Sequence, residues 1–226
     1  MKNRMFLFAS VCPPLQKLIE DEGGVVVHDT KEYFDVVIFP PGEDVSPFLY
    51  GQKKMEKTNN NFIRDMRENA LYRRLPGSVP KIGVGRGAQF LNVMSGGTLY
   101  QYTTGHLSSH KLLDFITDNE MLVTSCHRQQ MVLPDGADML AGACESDRKE
   151  GPGFVIHNDL ALSKNKTQWP DVEVGYVDWT TSLLFQPRPE LPSNDEATKN
   201  TANYFFQLID DWVIPSIKKF PTRLSA

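Results

Sequence analysis

Several groupings of side chains have the types and spacings that chemistry needs. Gly83-x-Gly85-x-x-Ala88 lies between a strand-like and a helix-like run. This is the form of a dinucleotide-binding turn, whose glycines let the backbone approach a pyrophosphate. That fingerprint also needs an acidic residue roughly twenty positions further on, and Thr103 to His110 holds none. His106-x-x-x-His110 has the spacing of two metal ligands on one helix face, with Cys126-His127 as further candidates. No Glu lies between the two histidines, and adjacent residues of a strand point to opposite faces. They are read as ordinary histidines of a polar loop after Gln101, and no metal site is expected. Cys126 beside His127 is a thiol–imidazole pair on paper, but neighbouring side chains on an extended chain diverge. Cys126 is therefore expected as a small buried hydrophobe, and Cys12 and Cys144 as structural. Ser125 and His127 share a face, yet no acid is seen to orient the imidazole.

A longer match accounts for more residues. Gly83-Val84-Gly85-Arg86-Gly87-Ala88-Gln89-Phe90-Leu91-Asn92-Val93, continuing to Gly96-Gly97-Thr98-Leu99-Tyr100-Gln101, resembles the nucleophile elbow of class I glutamine amidotransferases. The resemblance is strongest to their gamma-glutamyl hydrolase-like (peptidase C26) branch, which reads G-[IV]-C-R-G-x-Q-x-L-N-V-x-x-G-G-T-L-Y-Q. It implies that Gly85 stands where the family keeps its nucleophilic cysteine. A nucleophile elbow is a strained strand-to-helix turn, and glycine tolerates such backbone best; it also has no side chain with which to attack.

Phe39-Pro40-Pro41-Gly42-Glu43-Asp44-Val45-Ser46-Pro47 resembles the family's oxyanion loop, with Pro41 in place of a glycine. Proline has no N–H to donate, whereas Gly42 keeps one. Arg64-Asp65-x-x-Glu68 matches the family's R-D-x-x-E, and Thr124 to Gln129 is similar to its pocket segment N-S-x-H-H-Q. Gln186-Pro187-Arg188-Pro189-Glu190 stands where the family reads Q-[WFY]-H-P-E. Arg188 thus falls at the general-base position and Glu190 at that of its orienting acid. An arginine keeps its proton at any ordinary pH and cannot act as that base. The resemblance implies triad positions at Gly85, Arg188 and Glu190. It implies pocket or oxyanion roles for Gly42, Arg86, Gln89, Ser125 and His127.

The elements that must position these residues alternate. Strands are expected at Met5–Ala9, Val25–Val27, Asp35–Phe39 and Lys81–Val84, with helices at Leu15–Asp21, Asn61–Leu75 and Arg86–Met94. Apolar strands alternating with helices imply a parallel sheet covered on both sides. Leu112 to Ile156 reads as shorter strands, among them a hairpin of Phe115–Thr117 and Met121–Thr124 turning at Asp118-Asn119-Glu120. Ser182–Gln186 is a late strand and Ala202–Ile214 a closing amphipathic helix. Polar loops are expected at Ser163–Pro170 and Pro187–Asn200. The fold class is α/β: a doubly wound, mostly parallel, flavodoxin-like sheet flanked by helices, with an antiparallel addition, in one domain spanning residues 1–226.

The 226 residues carry 40% hydrophobic and 23% charged side chains and a net charge of −4. That balance argues against a sequence-independent nucleic-acid binder. No apolar run is long enough to span a bilayer. The short run after Met1 reads as a buried first strand rather than a signal peptide, and three cysteines without an export signal suit a reducing cytoplasm. The expectation is a catalytically silent amidotransferase-like protein that needs no cofactor. It would bind a protein partner, a second copy of itself, or a small carboxylate or gamma-glutamyl ligand, with no nucleic acid and no membrane. The alternative is an amidotransferase or gamma-glutamyl hydrolase using a non-standard nucleophile such as Ser125 or Cys126.

Overall fold

The apolar runs of the first half become strands buried on both faces. Met5–Phe8 (β1) is followed by helix Pro13–Asp21 (α1), Val25–Val27 (β2), Val36–Phe39 (β3), helix Phe62–Arg74 (α2), Lys81–Val84 (β4) and helix Arg86–Met94 (α3). Thr98–Tyr100 (β5), Tyr102–Thr103 (β6), His110–Asp114 (β7), Asn119–Val123 (β8), Gln130–Val132 (β9), Asp138–Ala143 (β10), Arg148–Gly151 (β11) and Phe154–His157 (β12) come next. Asp171–Val177 (β13), Ser182–Phe185 (β14) and helix Glu196–Leu208 (α4) complete the order, with a π-helical turn at Ile209–Val213. The computed structural model describes residues 1–143, 146, 148–157 (backbone alone from 154), 171–193, 195–217, 222 and 224. Cys144 and the polar loop expected over 163–170 lie outside the described residues.

The main sheet runs β2-β1-β3-β4-β14-β13-β10-β7-β8, with β9 on β13 and β5 on β9. The strands from β2 to β14 are parallel to one another. From β14 outward each neighbour is antiparallel, so the antiparallel addition extends the parallel half rather than forming a separate layer. A small sheet of β12, β11 and β6 lies beside it. Alternate residues of the parallel strands feed two cores. Phe6, Phe8, Ile38, Leu183 and Phe185 pack with Leu15 and Ile19 of α1 and Phe205 of α4. Leu7, Val37, Phe39 and Leu184 pack with Phe90 and Leu91 of α3 and Tyr72 of α2. This is the doubly wound α/β arrangement expected from the sequence. Among the described residues no helix is long and apolar enough to cross a membrane.

Local signals explain most boundaries, and some differ from expectation. Pro13 and Pro14 open α1 instead of preceding it, since proline's missing N–H costs nothing in a first turn. The Asn61 side chain caps α2 by accepting from the Arg64 N–H. Helix α4 starts at Glu196, inside the stretch expected as a loop, because Asp195 accepts from the Thr198 N–H. The middle hairpin pairs β7 with β8, so Phe115 to Thr117 form its turn and not its first strand. Asp114 fixes that turn by accepting from the Ile116 N–H and the Thr117 hydroxyl.

Candidate functional site

The turn between β4 and α3 holds Gly85 at φ 55° and ψ −116°, a conformation that L side chains rarely adopt. Its N–H donates to the Phe185 carbonyl at 2.8 Å, at the carboxyl ends of β4 and β14. In open α/β sheets ligands bind at such ends. A Cβ on Gly85 would lie 3.0 Å from Arg188 Cδ and 3.3 Å from Pro41 Cβ. The structure therefore brings Gly85, Pro41 and Arg188 together. The Arg188 Nε donates to Glu190 Oε1 at 2.5 Å, and its backbone N–H donates to the Thr124 carbonyl. The neighbouring glycines have another cause. A Cβ on Gly83 would collide with the Gly87 backbone, and one on Gly87 with the Phe39 carbonyl. They let α3 press against β3 and β4, which is a packing role rather than a phosphate cradle.

A cavity of about 350 Å³ opens beside this turn. Of the expected site residues, Gly42, Arg86, Gln89, His127 and Arg188 line it, whereas Gly85, Ser125 and Glu190 do not. Much of its wall is structural. The Arg86 guanidinium is buried and pairs with both Asp65 and Glu68 of α2. Burial raises the Glu68 carboxyl above its ordinary pKa, against the pull of Arg64. Arg64 also donates to the Pro40 and Pro41 carbonyls at 3.0 Å each. It packs so closely under Gly42 that a Cβ there would collide with it. The R-D-x-x-E match is thus an ion-pair network that ties α2 to α3 and to the loop after β3. Gln89 donates to the Gln129 carbonyl and to Gln186 Oε1, bridging three segments.

Cys126 is exposed and lines the cavity, contrary to the expectation of a buried thiol. Alternation along the extended segment sends His127 inward and Cys126 outward. Among the described residues neither candidate nucleophile is seen hydrogen-bonded to a free base. The Ser125 hydroxyl is buried and donates to the His106 carbonyl at 2.9 Å. His127 places Nδ1 3.0 Å from the Gln129 carbonyl and Nε2 3.4 Å from Glu173 Oε2.

The histidines expected in a polar loop are buried instead: His106 is 0% and His110 5% exposed. They converge with His127 on Glu173 of β13, a residue that sequence reasoning missed. His106 Nδ1 lies 3.1 Å from Glu173 Oε1 and its Nε2 2.9 Å from Asp171 Oδ2. Burial works against the His106 imidazolium, but the two flanking carboxylates outweigh it and raise its pKa to about 9. At His127 burial wins over Glu173 and the pKa falls. Glu173 is buried as well, yet the imidazoles hold its carboxyl well below the usual range. The sequence signal was there in part: a charged residue in the otherwise apolar strand Val172–Val177 needs a buried partner.

The Peptidase C26 family model matches residues 17–148. A protein of Lactococcus lactis subsp. lactis (strain IL1403) named as the glutamine amidotransferase-like protein YvdE is 39% identical over 89 residues, which is 38% of this chain and 38% of that protein. The match thus spans well under half the length of this relative. The fold is similar to that of PurLQS from Thermotoga maritima, with a TM-score of 0.57 at 14% identity over 94% of this chain and 100% of that one. It is likewise similar to a glutamine amidotransferase from Thermotoga maritima, with a TM-score of 0.55 at 11% identity over 96% of this chain and 87% of that one.

Proposed function

The chain belongs to the peptidase C26 family of class I glutamine amidotransferase-like proteins, and we propose that it is a catalytically silent member that works by binding. The observation that carries this reading is the pair of residues at the turn after β4. The position that the resemblance gives to the nucleophile is Gly85. The position it gives to the base is Arg188, whose Cδ fills the space a side chain on residue 85 would enter. An arginine paired with Glu190 takes no proton from a thiol. Among the described residues the Ser125 hydroxyl donates to a backbone carbonyl and His127 is held by Gln129 and Glu173, which weighs against a non-standard nucleophile.

The ligand proposed for this cavity is a small carboxylate or gamma-glutamyl compound, met by Arg128 and Arg188 on a wall that also carries Glu43 and Asp44. A guanidinium fork matches a carboxylate in geometry and charge. Purified protein is expected to release no glutamate from glutamine or from a gamma-glutamyl amide. Calorimetry should show binding of such compounds that weakens in Arg128→Ala. Turnover that disappears in Cys126→Ser or Ser125→Ala would overturn the proposal.

We further propose that the chain acts in an assembly with another protein or a second copy of itself. Phe48 and Phe62, 72% and 51% exposed, meet edge to face on the surface, and adjoining exposed apolar side chains favour such contact. Light scattering with co-purification tests this, and a lone monomer that retains no partner would count against it.

A further inference from the structure

Behind the wall of the cavity the buried histidines pose a problem of proton placement. His127 Nδ1 faces the Gln129 carbonyl, which only accepts, so that nitrogen carries the proton. In the neutral ring the lone pair of Nε2 then points at the Glu173 carboxylate, 3.3 Å from Oε1. His106 repeats the pattern. Its Nε2 lies 2.9 Å from Asp171 Oδ2 and is the donor there, which leaves the Nδ1 lone pair 3.1 Å from Glu173 Oε1. With both rings neutral, two lone pairs are aimed at one carboxylate. His110 adds a third ring, with Nε2 3.7 Å from Glu173 Oε2. Neither His110 nitrogen, nor His106 Nδ1, nor Glu173 Oε1 makes a hydrogen bond among the described residues. All four residues are buried. Orphaned buried acceptors facing one another are unfavourable unless a proton or a metal cation lies between them.

We propose that His106, His110 and Glu173 form a three-residue binding site for a divalent transition metal of the zinc class, with the fourth position open to water. One ligand atom from each of the three residues lies within 4.8 Å of the others. Ligands about 2.0–2.2 Å from a tetrahedral zinc stand roughly 3.3–3.6 Å apart. His106 Nδ1 stands 3.1 Å from Glu173 Oε1 and His110 Nε2 3.7 Å from Glu173 Oε2, distances that fall on either side of that edge. An outer partner also fits. Histidines that bind metal donate their other ring N–H to a carboxylate or a backbone carbonyl, as His106 does to Asp171. Imidazole and carboxylate donors suit zinc. Glu173 sets one negative charge against a dication, and Asp171, shared between His106 and Lys149, supplies a second carboxylate beside it. Two of the ligands stand on strands, His110 on β7 and Glu173 on β13, so the site is held by the sheet.

The competing arrangement puts protons, not a metal, on the imidazoles. Metal analysis of the purified, desalted chain separates the two, followed by removal with a chelator and titration with cobalt(II). One zinc per chain is expected, with cobalt(II) replacing it at one equivalent and showing the intense visible bands of four-coordinate geometry. Both signals should vanish in His110→Ala and in Glu173→Gln, with the circular dichroism of the folded chain retained. If those variants do not fold, the cobalt titration of the wild-type chain decides alone. No bound metal and no cobalt bands, with nitrogen chemical shifts of doubly protonated rings, would overturn the proposal. So would metal binding that survives both substitutions.

Discussion

Gly85→Ala tests the geometry on which the functional reading rests. At φ 55° and ψ −116° the residue is outside both the right-handed and left-handed helical regions, and a non-glycine residue held there costs about 1–3 kcal/mol. The new methyl group also meets Arg188 Cδ at 3.0 Å and Pro41 Cβ at 3.3 Å. The arginine is the softer neighbour. Moving it loosens the Nε–Glu190 bond of 2.5 Å, and a hydrogen bond between charged groups contributes about 1.5–3 kcal/mol when fully formed. Since the Arg188 side chain is 21% exposed, about 1 kcal/mol of that is the reasonable share. Urea denaturation should then show a loss of about 2–4 kcal/mol with an unchanged slope. Against an Arg188→Ala background the same substitution should lose about 1 kcal/mol less, a coupling that a double-mutant cycle reads directly. A loss below roughly 0.5 kcal/mol, the usual range for surface changes, would show that the turn is not strained. An equal loss in both backgrounds would show that Arg188 does not fill the space above residue 85.

Restoring chemistry is harder than restoring residues: Gly85→Cys with Arg188→His is expected to release at most traces of glutamate from glutamine. Adding Pro41→Gly should raise the rate, because a missing oxyanion donor typically costs about a hundred- to a thousand-fold; robust turnover by the double mutant would refute the role given to Pro41. Arg86→Leu leaves Asp65 and Glu68 buried without their shared cation, and breaking such a pair costs about 3–5 kcal/mol. Burial already raises the Glu68 pKa above 4.5, so the folded chain holds a proton there more readily than the unfolded one. The cost should therefore shrink as pH falls through the raised Glu68 pKa toward 4.5, and a pH-independent loss in denaturation midpoints would contradict it. Iodoacetamide near neutral pH should label exposed Cys126 before Cys12, whose thiol burial pushes up, since the thiolate is the reactive form; peptide mapping that finds Cys12 labelled first would refute this.

The turn at Gly85 was legible in the sequence because its cause is local. A β-like run, a residue free to adopt positive φ and a helix-forming run follow one another, and Lys81–Val84 and Arg86–Met94 take the expected bounds. The parallel half of the sheet was legible for the same reason, since its strands are continuous apolar runs buried on both faces. Asp195 as a helix cap was equally local, yet it was overlooked in a polar stretch. What the sequence could not assign was partnership at a distance. Arg64-Asp65-x-x-Glu68 stood out as a motif, but only the packing of α2 on α3 turns it into a clamp on Arg86 and the Pro40–Gly42 loop. His106 and His110 read as loop residues because nothing near them in the chain buries them. Their burial comes from β13, which pairs with β10 and β14 and carries Asp171 and Glu173 to them across the sheet. Hydrophobic periodicity reports which face of an element is buried; it carries no record of which distant charge waits on the other side, and that was settled by the sheet order alone.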